Sequence, residues 1–370
     1  MPRNLIPEGF RDDVSEQVLT EHKFTNEFIE HFQCHGYELV KTPLIEFYDK
    51  SFGDNSFNIK VKKNEKRLIL RDDITLQIAR LSFARLSKKK RPLKLCYYGE
   101  VVRKQGSMLR PERQFLQIGA ECIGEKNNLA DVEMMDLAYS SLKLVGIKNI
   151  FIEISSRIFL DKFYSSIKNS QRLNNIKTLI KQKDLSGLLK LVEKKNHQYL
   201  RNIFSCTGLY KDKVGNLEKL KIDKNNSQEI QNIKDIVSSF CINNKGAKVF
   251  LDLCEIDDKN YHKGIRFTFF SNNIRGEIAK GGRYFSKNLD QEEESTGFTC
   301  YMDTILRASS FKQINKKIMI EFKLSKTKKK QLIEKGYVIV THFGEAKNIK
   351  KKAKEHNCQF YLNNNNIKSL

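Results

Sequence analysis

The sequence predicts an α+β fold in which an antiparallel sheet is flanked by helices, with a helical insertion and a small C-terminal α/β module. Three observations predict it. Residues 95–124 read as two strands joined by a Gly/Pro-containing loop, an antiparallel hairpin. Strand character returns at 248–270, after a Lys- and Asn-rich stretch at 160–245 with helical periodicity. The last 60 residues alternate strand, helix, strand, helix, strand. The expected organisation is therefore a core over 1–310, interrupted at about 160–245, and a C-terminal domain over 311–370.

The totals narrow the function classes. At 370 residues the chain is long enough for two or three domains. It has no run of about 18 apolar residues, and its N-terminus lacks a hydrophobic signal segment, so it is expected to be soluble and cytoplasmic. Eight cysteines are scattered singly without a C-x-x-C pair, which argues against zinc ribbons and disulfide frameworks and fits a reducing compartment. No metal site is expected. The net charge of +23 resides largely in lysine tracts such as Lys88–Lys90, Lys328–Lys330 and Lys350–Lys352. Solvated lysine faces account for it, and no RNA-stacking motif accompanies it, so nucleic-acid binding is not expected.

The elements follow in order. Asp12 or Asp13 is placed to cap a helix from about Val14 to His35, with apolar residues from Val18 to Phe32 at near-helical spacing and Gly36 as terminator. His31, Cys34 and His35 lie within about one turn, but without an acidic partner they read as incidental rather than as metal ligands. The stretch 37–49 is a strand broken by Pro43. Residues 68–82 begin as a strand and become a helix after Arg71–Asp73, with Thr75 in the first turn, where hydroxyl and acidic groups satisfy free backbone donors. The 95–124 hairpin carries Arg103, Arg110 and Arg113, whose guanidinium forks suit a phosphate or carboxylate, or alternatively form a solvated basic turn. An apolar helix at 129–145 ends at Gly146, and Ile150–Ile154 is a strand.

The pattern G-x-V-x-R … R-x-F-x-Q-x-G-x-E-x-I-G over 99–124 resembles motif 2 of class II aminoacyl-tRNA synthetases of the histidyl type. The segments L-I-P-E-G-F-R-D (5–12) and G-Y-E-L-V-K-T-P-L-I-E (36–46) are similar to that family's N-terminus and motif 1, which implies self-association as a dimer or higher oligomer. The family's L-R-x-[DE]-x-T matches Leu70 to Thr75. The resemblance implies that Asp73 and Thr75 receive the α-amino group of histidine, that Arg103 grips a phosphate, and that Gln117 and Glu121 line the amino-acid pocket. Tyr261 and His262, in Y-H-K-G, match the end of the second histidine motif, and K-G-G-R-Y-F places Arg283 and Tyr284 on its G-G-R-Y. Arg113, Arg283 and Tyr284 are expected as secondary pocket residues.

Two departures concern catalysis. Asp257 stands where active synthetases carry an arginine that bridges the α-phosphate and the amino-acid carboxylate. In motif 3, G-F-x-x-G-x-x-R, Tyr301 replaces the second glycine and Thr304 replaces the arginine that packs on ATP. Arg307 lies three residues on. No P-loop occurs elsewhere, so no nucleotide cofactor is expected. With the His at 262, these features are similar to the histidyl-tRNA-synthetase-like regulatory subunits of ATP phosphoribosyltransferase. That family implies a non-catalytic chain that assembles with a short-form catalytic subunit in the first step of histidine biosynthesis, with histidine as feedback effector. Whether histidine binds in this pocket or at the subunit interface stays open. The alternatives are a divergent active histidyl-tRNA synthetase, and an RNA-binding scaffold.

Overall fold

The computed structural model describes residues 5–48, 55–60, 66–255, 262–288, 291–311, 316–344, 348–363 and 366–370. It divides into two compact units, Met1–Ser310 and Phe311–Leu370.

Helix α1 (Glu16–Cys34) opens the first unit. Phe24, Phe28 and Phe32 recur every four residues and are all buried, which gives the helix one aromatic face. The expected acidic cap is absent. Ser15 precedes the helix without a side-chain capping bond, and Asp13 pairs with Arg11 at 2.8 Å instead. Pro43 separates β1 (Glu38–Val40) from β2 (Ile45–Phe47), because proline lacks the N–H that a ladder needs. β2 joins β3 (Asn58–Ile59) and β4 (Leu68–Leu70) in a three-stranded sheet, and α2 (Thr75–Ala84) follows.

The hairpin is β5 (Leu93–Val102) and β6 (Gln114–Ile123), paired antiparallel along their whole length. Helix α3 (Leu129–Leu144) and strand β7 (Ile150–Ser156) follow. Then come α4 (Ile158–Ser165), α5 (Ser170–Lys181), α6 (Leu185–Leu191), α7 (His197–Ser205), the two-residue β8 (Gly208–Leu209), α8 (Tyr210–Lys213) and α9 (Lys224–Asn243). The lysine-rich stretch is thus mainly helical, with β8 a short strand within it. Helix α9 turns Ile230, Ile233, Val237 and Phe240 inward and packs against α3.

Strand β9 (Lys248–Leu251) leads to a meander of β10 (His262–Ser271), β11 (Ala279–Asn288) and β12 (Gln291–Tyr301), closed by α10 (Met302–Ala308). The large sheet has nine strands in the order β1-β5-β6-β12-β11-β10-β7-β9-β8. It is antiparallel through its middle, while β1 runs parallel to β5 and β9 parallel to β7. Strand β6 is buried at every position after Gln114, since helices cover one face of the sheet and side chains from neighbouring strands close the other.

Glycines set how closely these strands carry side chains past one another. A Cβ at Gly119 would strike the Phe298 carbonyl and the Tyr97 ring, and one at Gly297 would overlap the Glu121 carboxylate. The second unit is a four-stranded sheet, β14-β13-β15-β16, built from β13 (Lys316–Glu321), β14 (Tyr337–His342), β15 (Phe360–Asn363) and β16 (Asn366–Ser369). Helices α11 (Lys326–Glu334) and α12 (Ile349–Glu355) cover its two faces. Ile318 and Ile320 pack with Leu332, whereas Met319 packs with Ile349 and Ala353, as strand alternation requires. Strand β16 has no counterpart in the sequence reading; its N-I-K-S carries a single apolar residue, Ile367.

Among the described residues no helix is long and apolar enough to cross a membrane. All eight cysteines are free. His31 and His35 are taken up locally, by Ser140 Oγ at 2.8 Å and the His31 carbonyl at 2.8 Å, and no metal-binding group of three His, Cys, Asp or Glu forms among the described residues.

The substitution Gly119→Ala is expected to destabilise the first unit by about 1–3 kcal/mol, the usual cost of overpacking. An unchanged urea midpoint would show that the β6–β12 approach tolerates a methyl group.

Candidate functional site

The middle of the large sheet brings together residues far apart in sequence. Register across β5, β6 and β12 puts Tyr97, Gly119 and Thr299 in one row, and Leu95, Glu121 and Gly297 in the next. Side chains on alternate residues share a face, so Tyr97, Gln117, Gly119, Glu121, Gly297 and Thr299 form one patch. Tyr284 of β11 reaches the same patch.

Glu121 is its centre. It is 1% exposed, and the Tyr284 hydroxyl donates to its Oε2 at 2.8 Å. The Tyr97 hydroxyl approaches Oε1 at 3.4 Å, Thr299 Oγ1 at 2.7 Å and Thr75 Oγ1 at 3.1 Å. Burial pushes the Glu121 carboxyl up to about 8, against the pull of the hydroxyls of Tyr284, Thr75 and Tyr97. Burial also raises the Tyr97 phenol, with the Glu121 and Asp73 carboxyls adding to it. The group is therefore an acid held near neutrality, able to donate or accept a hydrogen bond.

The first turn of α2 supplies the next edge. Asp73 Oδ1 accepts from the Thr75 N–H at 2.9 Å, which fixes the turn and directs Thr75 towards Tyr97. Gln117 is fully buried; its Oε1 accepts from the Ile74 N–H at 3.2 Å, and its Nε2 has no partner. A buried amide donor left open invites a ligand acceptor. Thus Asp73, Thr75, Gln117, Glu121 and Tyr284 converge. Tyr97 and Thr299, which sequence reasoning missed, complete the set. Their signal was inward parity in strands whose register only the sheet determines.

The remaining candidates separate. Arg103 Nε donates to the Asp72 carbonyl at 3.4 Å, and the guanidinium lies 4.8 Å from the centre of the Phe115 ring. Arg113 is held by backbone, donating to the carbonyls of Arg103 (3.1 Å) and Glu8 (2.9 Å), so it clips the N-terminal segment to the hairpin. Arg283 is next to Tyr284 and so points to the other face, where its Nη2 donates to Asp131 Oδ2 at 2.6 Å. The backbone of His262 pairs with Tyr284 in the β10–β11 ladder. Tyr261 and Asp257 lie outside the described residues.

The motif 3 departures have a structural partner. Arg110 is buried, with its guanidinium 3.7 Å from the Tyr301 ring centre. It donates to Asp303 Oδ2 at 3.2 Å and to Thr304 Oγ1 at 3.2 Å, and pairs with Glu277 at 3.2 Å. The two residues that depart from the motif, Tyr301 and Thr304, are thus the seat of an internal arginine. Of the three hairpin arginines, this one is neither solvated nor open to an anion. Arg307, three residues beyond Thr304, sits 3.6 Å from Asp303 and 3.7 Å from Glu112.

A central antiparallel sheet with a buried polar patch on its motif 2 hairpin and motif 3 strand defines a class II synthetase-type protein, and the chain belongs to the histidyl-tRNA synthetase family, whose family model matches residues 9–305. A relative named ATP phosphoribosyltransferase regulatory subunit, from Rhodospirillum centenum, is 30% identical over 82% of this chain and 80% of that one. One of the same name from Paramagnetospirillum magneticum is 27% identical over 97% and 96%. Within the family the chain falls with these ATP phosphoribosyltransferase regulatory subunits.

Solved structures agree on the fold. An ATP phosphoribosyltransferase regulatory subunit/histidyl-tRNA synthetase from Bacillus halodurans superposes with a TM-score of 0.80 at 20% identity, covering 98% of each chain. Histidyl-tRNA synthetase from Nostoc sp. PCC 7120 gives 0.77 at 16%, covering 97% of this chain and 91% of that one.

A carboxyl whose folded value is raised contributes stability that is complete below its ordinary value, 4.5, and lost as pH rises through about 8. Between pH 5 and 9 the chain should therefore lose on the order of a few kcal/mol that Glu121→Gln retains. The check is the difference in urea midpoint between wild type and variant at each pH. A difference constant with pH would mean that Glu121 is ionised throughout.

Proposed function

We propose that this chain is a histidine-sensing subunit without chemistry of its own, required by a short-form ATP phosphoribosyltransferase catalytic subunit and inhibitory when histidine is bound. The observation that carries the reading is Glu121, buried and braced by Tyr284 and Tyr97. Imidazole has one nitrogen that donates and one that accepts, and a carboxyl poised near neutrality matches either. Asp73 and Thr75 suit an ammonium group, and the open Gln117 amide suits an acceptor oxygen. A site that hydrogen-bonds both ends of its ligand rejects apolar analogues strongly.

Loss of adenylate chemistry is supported from the other side. Asp257 would repel the α-phosphate that an arginine attracts in active members. The segment those members use against ATP is filled here by Arg110 on Tyr301 and Thr304. An active synthetase reading would need both obstacles removed, and Arg307 is drawn to Asp303 and Glu112 instead. A retained ligand pocket beside a filled nucleotide slot fits a sensor, in which histidine favours one of two states of a complex.

The other inferences follow from this reading. Self-association is supported by the exposed apolar residues Leu39, Leu44, Ile45 and Phe47 on and between β1 and β2, in the segment similar to motif 1. Lysines 88–90 and 350–352 are exposed around helix ends and loops, and Lys89 and Lys352 are paired with Glu38 and Glu355, which fits a solvated surface better than an RNA track. The working compartment is the cytoplasm, where the free cysteines stay reduced.

The decisive assay is phosphoribosyl-ATP formation by the catalytic subunit of the same organism, with and without this chain, over a histidine titration. Product should form only with this chain, and its rate should fall as histidine rises. Absence of any complex or effect on rate would refute the regulatory reading. In the same assay Glu121→Ala should raise the half-inhibiting histidine concentration by about ten- to a hundredfold, the worth of a buried hydrogen bond to a charged group. Histidine-dependent ATP–pyrophosphate exchange should be absent, and measurable exchange would restore the synthetase alternative.

A further inference from the structure

The segment that carries Asp73 and Thr75 also carries a buried cation. Arg71 is 6% exposed and sits between β2 and β5. Its N–H donates to the Leu44 carbonyl at 3.0 Å, and its carbonyl accepts from the Val102 N–H at 3.0 Å. The side chain runs along β5. Nε donates to the Glu100 carbonyl at 2.7 Å, and Nη1 to the Thr42 carbonyl (3.1 Å), Thr42 Oγ1 (3.0 Å) and Gln77 Oε1 (3.4 Å). Gln77 is itself fixed, its Nε2 donating to the Pro43 carbonyl at 2.8 Å and to Glu46 Oε1 at 2.9 Å. The guanidinium is thus pinned through Nε and Nη1, and the N–H groups of Nη2 form no hydrogen bond among the described residues.

Nη2 is placed on the face that carries Glu121. The guanidinium lies over Gly99, where a Cβ would overlap Nη2. Gly99 pairs with Gln117 across β5 and β6, so Arg71 and Gln117 are neighbours on one side of the sheet.

The charge of Arg71 is also unmatched. Arg110 and Arg283 are similarly buried, and each holds a carboxylate, Asp303 for the first and Asp131 for the second. The acceptors bonded to Arg71 are neutral oxygens, and it forms no ion pair among the described residues. The acids whose charge reaches it are Glu100 and Glu46. Glu46 is taken up by Arg80 at 2.8 Å, and burial raises the Glu100 carboxyl above its usual range. Burial lowers the Arg71 guanidinium from its ordinary value, yet an arginine keeps its proton in a protein. A buried cation without a counter-ion is costly, and an anion brought by a ligand offsets that cost.

We propose that Arg71 binds, through Nη2, the carboxylate of an α-amino acid held in the Glu121 pocket. The inference rests on the histidine reading and names the residue that receives the acid end of that ligand. One segment, Arg71 to Thr75, then offers a guanidinium to the carboxylate and the Asp73–Thr75 turn to the ammonium. An α-amino acid carries both charges on one carbon, so a single stretch of chain reads its head group. The planar fork of arginine matches the planar carboxylate.

The test is isothermal titration of the full chain with histidine and with histamine, which keeps the imidazole and the amine but lacks the carboxylate. Wild type should prefer histidine by about tenfold or more, the worth of a hydrogen bond between charged groups. Arg71→Gln should weaken histidine by a similar factor and leave histamine unchanged, so that the preference vanishes. Arg71→Lys keeps the charge without the fork and should retain part of the preference. Melting curves check the folding of both variants. Crystals of the wild-type chain soaked in histidine give a measure independent of any variant, with a carboxylate oxygen expected within hydrogen-bonding distance of Arg71 Nη2. Equal loss of both ligands in a folded variant would reveal a structural role and overturn the proposal. So would a preference that survives in Arg71→Gln, or a soaked carboxylate bound elsewhere. Those outcomes leave the histidine reading standing, whereas a wild-type chain that binds neither ligand removes that reading and this one together.

Discussion

A carboxyl group sealed inside a nine-stranded sheet governs the architecture around it. Glu121 can sit there only because tyrosine hydroxyls reach it from two different strands and because the facing position is Gly297. Those requirements propagate. Gly119 must lack a side chain so that Tyr97 can lie across it, and Thr299 must offer an oxygen to the same phenol. Strand register, glycine placement and polar pairing are thus one linked solution to the cost of burying an acid.

The sheet also separates functions by parity. Arg283 and Tyr284 are neighbours in sequence, but one joins Asp131 beneath α3 and the other joins Glu121. A pleated strand presents consecutive side chains to opposite faces, so one dipeptide serves two polar sites with no contact between them. The G-G-R-Y motif is therefore bifunctional in a geometric sense. Its tyrosine belongs to the polar patch around Glu121 and its arginine to the start of α3.

Much of this was legible in the sequence. The hairpin was visible in its alternation, α3 in its apolar run, and the Asp73–Thr75 turn in its capping chemistry. What stayed hidden depended on partners distant along the chain. Tyr97 meets Thr299 across about two hundred intervening residues, and nothing local announces that register. Arg110 looked like the other tip arginines because sequence displays charge but not enclosure. Its burial follows from Tyr301 and Asp303, which a motif comparison had flagged only as departures or passed over. Strand β16 escaped because an edge strand of Asn, Lys and Ser needs no apolar period; its backbone bonds to β15 suffice.

The seat of Arg110 has a consequence for how the chain could change. A side chain tethered to its own slot is a competitor at an effective concentration far above that of any free metabolite. It is also selected by stacking and two carboxylates together, not by one contact. An arginine placed at 304 alone would bring a second cation against Arg110, which now donates to Thr304, and would add repulsion. An arginine at 304 therefore needs several neighbouring residues to change with it, because Tyr301, Asp303 and Glu277 already hold Arg110.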